Sequence, residues 1–172
     1  MNVESLFLQI SVKKLREFMG HIEACVAKLN DEQIWLRGGE NENAIGNLAL
    51  HLAGNVRQWI VSTLGSDAAI RDRDAEFDAR GGSGGPELLA KLRSTVEQAA
   101  GIVAKLDTDR LTRTYEIQGY RVTGVEVVYH VVEHFAEHTG QIVFITKAIT
   151  GHDLGFYGHL RNPSRSVGIL SL

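Results

Sequence analysis

The sequence has little cysteine: Cys25 is the only one among 172 residues. One thiol cannot form a disulfide within the chain, so the reducing cytoplasm is the expected compartment. Cys25 lies in a helical pattern of apolar residues, which is typical of a buried structural thiol and not of a nucleophile.

The sequence also lacks a basic cluster and a long apolar run. Its 18 Lys and Arg residues against 21 Asp and Glu residues give a formal net charge of -3, which gives no reason to expect nucleic-acid binding. No apolar run reaches the roughly 18 residues of a membrane span, and the first ten residues lack the basic start of a signal peptide. We expect one cytoplasmic domain over residues 1–172 that binds neither nucleic acid nor a membrane.

Apolar residues recur three and four positions apart in four long segments, which predicts four amphipathic helices. Asn43 is a preferred N-cap residue type for the second helix, and Pro86 suits the first turn of the third. Thr123 followed by Glu126 is a capping-box pattern for the fourth. The predicted helices cover 3–29, 43–65, 86–106 and 123–150.

The connections between these helices differ in length and composition. Residues 66–85 contain the charged run 71–74 and end in glycine and serine, which predicts a long solvated crossover. Residues 112–122 alternate enough for a short hairpin or an extended connector. We therefore predict an all-α four-helix bundle with a long crossover between its second and third helices. Residues 161–172 are expected to form a tail that is flexible or ordered against a partner.

The fourth predicted helix carries His130, His134 and His138, each four residues after the last, so all three project from one face. This spacing can bring two imidazoles to one ion at the bond lengths of roughly 2.0–2.1 Å that zinc prefers. Val, Ile and Phe surround the stripe and place it at the core, where an imidazole needs a partner. The stripe therefore predicts a metal site or, alternatively, hydrogen-bonded core histidines.

A third metal ligand would have to come from another helix. His51 is the candidate, because it lies among leucines and alanines of the second helix, and ligands from facing helices meet in the core of a bundle. Three neutral histidines without a thiolate leave an open coordination position for water or a substrate. On the residues alone, His130 could replace His138 beside His134, or it could face a substrate.

A peptidase motif competes with this interpretation. Residues 134–138 fit the H-x-x-E-H pattern of inverted zinc peptidases, with Glu137 as the general base, and residues 130–134 fit it through Glu133. Such peptidases take a third ligand from a glutamate well downstream, and no glutamate follows Glu137. We consider this interpretation weaker than the three-histidine site.

Two stretches together resemble the signatures of the DinB-like (YfiT-like) metal-binding four-helix bundles. They are residues 47–55 with Trp59, and residues 130–142. Residues 71–77 also resemble a crossover motif of one uncharacterised branch of that superfamily. The similarity extends over nearly the whole chain to about residue 160.

The resemblance implies a ligand set, an ion and an assembly. The ligands would be His51, His134 and His138, while His130 is present without being a ligand. Zinc or nickel is the usual ion of the superfamily, and its members are commonly homodimers. Some members resemble thiol-dependent transferases or isomerases that use bacillithiol, mycothiol or glutathione, and many have no assigned activity.

These features lead to three hypotheses about function. In the first, the ion delivers a low-molecular-weight thiol or water to a small electrophile, in an S-transferase or hydrolase reaction. His130, Glu137 or Tyr129 would then move protons or orient ligands. In the second, a non-catalytic stress or interaction protein uses the ion to tie the second helix to the fourth. The third is a metal-free bundle. The run 71–77 is interpreted as a solvated loop, with a substrate lid or a dimer contact as alternatives.

Overall fold

The computed structural model of the chain describes residues 2–67 and 70–161. In chain order, the elements are α1 (Val3–Val26), α2 (Asp31–Ile34), α3 (Ile45–Val56), α4 (Arg73–Asp78), α5 (Gly85–Val103), α6 (Thr108–Thr112), β1 (Thr114–Ile117), β2 (Tyr120–Thr123) and α7 (Gly124–Thr150). A π-helical turn, Arg57–Ser62, continues helix α3, and a 3₁₀ turn, Gly158–Arg161, follows helix α7.

The four long helices α1, α3, α5 and α7 enclose an apolar core. Helix α1 packs against α5 and α7, and α3 packs against the same two helices. The predicted all-α four-helix bundle is therefore confirmed, and its long crossover connects α3 to α5. Burial of the apolar stripes supplies the main favourable term for folding. Large side chains that are fully buried in this core include Leu15, Ile22, Leu48, Leu52, Leu92, Phe135 and Ile142.

An antiparallel hairpin precedes α7, so the first of the two alternatives for residues 112–122 applies. Strands β1 and β2 pair with Ile117 opposite Tyr120. The turn residues Gln118 and Gly119 have φ angles of 52° and 81°, the left-handed conformation that tight hairpin turns favour. The hairpin leads directly into the predicted capping box, in which the Thr123 N–H donates to the carboxylate of Glu126 over 2.7 Å.

Several predicted helix ends differ from the structure by a few residues; α5, for example, ends at Val103 and not at residue 106. Helix α1 ends at Val26, because the N–H of Leu29 donates to the carbonyl of Val26 in a tighter turn than an α-helix makes. Helix α3 begins at Ile45 and its N-cap is Ala44, so Asn43 was wrong as the cap. The cause is Asn47, whose side-chain oxygen accepts the N–H of Ala44 over 3.1 Å.

The predicted solvated crossover at 66–85 is wrong over part of its length. Helix α4 forms within it, where the side chain of Asp72 accepts the N–H of Ala75 over 3.0 Å and caps the helix. Helix α4 packs against α3. The side chains of Arg71 and Glu76 are only 7% and 11% exposed, because they pair with each other against α3.

The chain after α7 returns to the bundle before the described part ends. Phe156 stacks on His21 of α1 with ring centroids 4.1 Å apart. The tail predicted at 161–172 lies outside the described residues, apart from Arg161. Within residues 2–67 and 70–161, no helix is both long and apolar enough to span a membrane.

Candidate metal centre

Three histidines from two helices meet between α3 and α7. His134 and His138 lie one turn apart on α7, and His51 faces them from α3. Nε2 of His134 is 3.1 Å from Nε2 of His51 and 3.2 Å from Nε2 of His138. One ligand nitrogen from each ring lies within 4.8 Å of the other two. With bonds of roughly 2.0–2.1 Å, the nitrogens around one tetrahedral zinc lie about 3.4 Å apart, so the spacing suits a shared ion.

Hydrogen bonds at the outer ring nitrogens of His51 and His138 direct their lone pairs toward the centre of this cluster, while Nδ1 of His134 is buried without a hydrogen-bond partner among the described residues. Nδ1 of His138 is 2.8 Å from the side-chain oxygen of Gln141, so Nδ1 carries the proton and Nε2 keeps a lone pair. Nδ1 of His51 is 3.0 Å from a carboxylate oxygen of Glu76. Nε2 of His134 carries at most one hydrogen, so it can donate to only one of the two neighbouring Nε2 atoms. A cation, in contrast, would bind a lone pair from each of the three imidazoles. The residues therefore fit a divalent ion held by nitrogen ligands.

Burial keeps the imidazoles of His51 and His134 uncharged near neutral pH. Together with the neighbouring charges of His138 and His51, burial lowers the pKa of His134 to about 3. Burial is also the main cause of the lowered pKa of His51, which the hydrogen bond with Glu76 opposes. Since the neutral imidazole is the form that binds metal, His51 and His134 need no prior deprotonation at pH 7.

The lowered pKa of His134 predicts that acid destabilises the metal-free protein. Below pH 6.5 the unfolded chain takes up a proton at this histidine, while the folded chain does so only near pH 3. The unfolded state then binds more protons, so the free energy of unfolding falls with decreasing pH across that window, by at most about 1.4 kcal/mol per pH unit for one proton. Urea unfolding in excess chelator, compared with His134→Gln, measures this slope. Equal slopes in the two proteins would contradict the assignment.

A cavity of about 470 Å³ lies beside the cluster. Its wall includes His134 and two of the candidate catalytic residues, His130 and Tyr129. The ring of His130 packs on Trp59 with centroids 4.0 Å apart, and its Nε2 is 3.5 Å from the side-chain nitrogen of Asn55. Burial lowers the pKa of His130. His130 is therefore neutral near pH 7 and lies at the cavity wall, outside the group of three.

The geometry does not favour the peptidase interpretation. Glu137, its proposed general base, is exposed on α7 and does not line this cavity. The third group that the fold brings to His134 and His138 is His51, which comes from α3. Of the three candidate catalytic residues, the structure thus places two beside the cluster and one away from it.

Comparison with known proteins identifies the family. The model of the family described as protein of unknown function (DUF1572) matches residues 2–158. The chain belongs to the DUF1572 family. No curated protein matches this DUF1572 protein.

Solved structures share its fold. A conserved protein from Enterococcus faecalis superposes with a TM-score of 0.71 at 13% identity, covering 88% of this chain and 99% of that one. A DinB-like protein from Bacillus cereus ATCC 10987 superposes with a TM-score of 0.64 at 12% identity, covering 84% and 93%. The predicted DinB-like fold is confirmed, and at these identities the likeness concerns the fold alone.

The sequence analysis did not identify two residues that contact the candidate metal centre of this DUF1572 protein. Arg71 and Glu76 are almost buried, and both contact the ring of His51. Burial raises the pKa of Glu76, but hydrogen bonds from Arg71 and His51 outweigh that effect and the net pKa is lowered. The signal in the sequence was an arginine and a glutamate within the crossover that leaves the helix of His51.

Proposed function

We propose that this protein is a metal-dependent enzyme acting on small molecules. His51, His134 and His138 hold one divalent ion, zinc or nickel, and the reaction is a thiol-dependent S-transfer or a hydrolysis. The observation that carries the proposal is the convergence of three histidines, with one ring nitrogen of each within 4.8 Å of the other two, beside an open cavity. Three-histidine sites with an open position are typical of catalytic metal centres.

The residues around the cavity have different roles in such a reaction. When bound, the ion supplies Lewis acidity at its open coordination position. Neutral His130 accepts or returns a proton at Nε2, and the hydroxyl of Tyr129, whose side chain is 60% exposed, orients the small molecule at the cavity mouth. The cavity of about 470 Å³ has the size of a small-molecule site.

Turnover of glutathione with a chromogenic aryl halide tests the transferase form of this proposal, and ester hydrolysis tests the hydrolase form. We expect the metal-loaded protein to show one of these activities, and His138→Ala to lower it by more than about 100-fold, because the Lewis acid is lost. His152→Ala removes an exposed histidine outside the cluster and should retain the activity. Unchanged turnover in His138→Ala would contradict the proposal.

A second candidate function is a non-catalytic protein in which the ion is structural. It is favoured by one observation: the three ligands come from two different long helices, so a bound ion ties α3 to α7. This candidate predicts that metal binding stabilises the protein, and that the protein turns over neither glutathione with the aryl halide nor the ester. The homodimer stays a prediction, which light scattering on the purified protein tests.

A further inference from the structure

The ion pair between Arg71 and Glu76, in the crossover, contacts His51, the proposed metal ligand on α3. Both carboxylate oxygens of Glu76 are held by Arg71, from Nε to Oε1 over 2.8 Å and from Nη2 to Oε2 over 2.7 Å. Oε2 is also 3.0 Å from Nδ1 of His51. The remaining nitrogen of the guanidinium, Nη1, donates to the side-chain oxygen of Gln58 over 3.0 Å. The carboxylate thus has a fixed position and orientation against the imidazole.

Two contacts at Nδ1 of His51 call for opposite tautomers of the imidazole, and only the contact with Glu76 is compatible with an ion at Nε2. A carboxylate only accepts hydrogen bonds, so its contact with Nδ1 requires the proton of His51 on Nδ1 and leaves the lone pair on Nε2. Nη2 of Arg71 is also 3.0 Å from Nδ1, but a bond there would need the lone pair on Nδ1 and the proton on Nε2. That proton would lie between His51 and His134, where the ion binds. The contact with Glu76 therefore favours the form of His51 that binds a metal.

Helix α3 is shaped to receive this ion pair. Gly54 lies less than one turn after His51, and a Cβ atom at this position would clash with Oε1 of Glu76 and lie 2.9 Å from Nε of Arg71. On the other side of His51, the side-chain nitrogen of Asn47 donates to the carbonyl of Glu76 over 2.9 Å. A helix interior normally disfavours glycine, so close approach of the crossover explains Gly54.

We propose that Glu76, held by Arg71, is a positioning residue of the metal centre: it keeps the proton of His51 on Nδ1 and strengthens the bond from Nε2 to the ion. The inference rests on the metal site proposed above. It gives the crossover 71–77 a role that is neither a solvated loop nor a substrate lid. Carboxylate partners of metal-bound histidines typically contribute about 10–100-fold to metal affinity.

Metal affinity and the spectrum of bound cobalt(II) test this role. Zinc affinity of the untagged full-length protein is measured by competition with a chromophoric chelator, and cobalt(II) absorption reports the ligand field. We expect Glu76→Ala to weaken zinc binding by about 10–100-fold and to shift the cobalt spectrum. Glu76→Gln keeps an acceptor for Nδ1–H, so it should recover part of the affinity and most of the spectrum.

Gly54→Ala provides a variant in which every ligand and every partner group is retained. The added methyl displaces the ion pair, so its zinc affinity should fall as in Glu76→Ala. Asp78→Asn is the matched control, because it removes one carboxylate charge from the same helix at an exposed position. It should stay within about twofold of the wild type, since remote exposed charges contribute little.

The outcomes separate the two proposals. A wild-type protein that binds neither zinc nor cobalt overturns the metal site and the inference with it. If the wild type binds but Glu76→Ala and Gly54→Ala bind equally well with an unchanged spectrum, the metal site stands and the role of Glu76 is wrong. A purely structural role would lower the melting temperature of these variants without moving the cobalt spectrum, and that result also overturns the inference.

Discussion

Replacing His134 with alanine is expected to remove metal binding from the protein. His134 is the central member of the cluster, since its Nε2 is the atom that both other Nε2 atoms approach, at 3.1 and 3.2 Å. Without His134, the site keeps only two ligands, His51 and His138, which come from different helices and lose the imidazole that lies next to both. We expect zinc affinity to fall by more than about 100-fold, beyond the usual effect of losing a hydrogen-bonding partner of a ligand.

His130→Ala is the matched control for this prediction. It removes a histidine from the same face of α7, one turn earlier, whose ring packs on Trp59 and lies outside the cluster. Zinc affinity in this variant should stay within about threefold of the wild type, because no ligand is lost. The measurement is competition with a chromophoric chelator on both variants. If His130→Ala loses the ion and His134→Ala keeps it, the ligand set proposed here is wrong.

Removing the metal is expected to lower the melting temperature substantially. An ion that binds only the folded chain stabilises it by about 4 kcal/mol when its free concentration is about 1,000 times the dissociation constant. For a chain of this size, each kcal/mol corresponds to roughly 2–4 °C. Chelation should therefore lower the melting temperature by about 8–16 °C. The helices to lose contact first are expected to be α3 and α7, which share the ion in the proposed site.

His51→Ala supplies the comparison for the thermal measurement. In this variant the ion no longer ties α3 to α7, so chelator should shift its melting temperature by no more than about 2 °C. Differential scanning fluorimetry of both proteins, with zinc and with chelator, is sufficient. A wild-type protein whose melting temperature is the same after chelation and after metal loading would contradict the proposed stabilisation.

The parts of this protein that follow from local spacing were predictable from sequence. The i, i+4 repeat of His130, His134 and His138 depends only on helix geometry, and the capping pair of Thr123 and Glu126 depends on four consecutive residues. His51 could be singled out because an imidazole among leucines needs a partner. Local pattern did not distinguish His138 from His130, and that choice depended on the family resemblance.

The parts that depend on how the chain returns on itself were not predictable. Charged residues next to a glycine-rich stretch normally indicate solvent, yet the side chains of Arg71 and Glu76 are almost buried because the fold places their segment on α3. From the local sequence, Gly54 only lowers the stability of its helix. The reason for a glycine at this position is that the ion pair of Arg71 and Glu76 packs against it. The N-cap at Ala44 likewise depends on Asn47, whose side chain also holds the crossover. These contacts join distant positions of the sequence, where periodicity carries no information.

The most direct test of the metal centre is elemental analysis of the untagged protein after loading with zinc or nickel and removal of excess ion. We expect about one divalent ion per chain, the number that one group of three histidines can hold. An occupancy near zero after loading would contradict it, because no arrangement of His51, His134 and His138 could then serve as a metal centre.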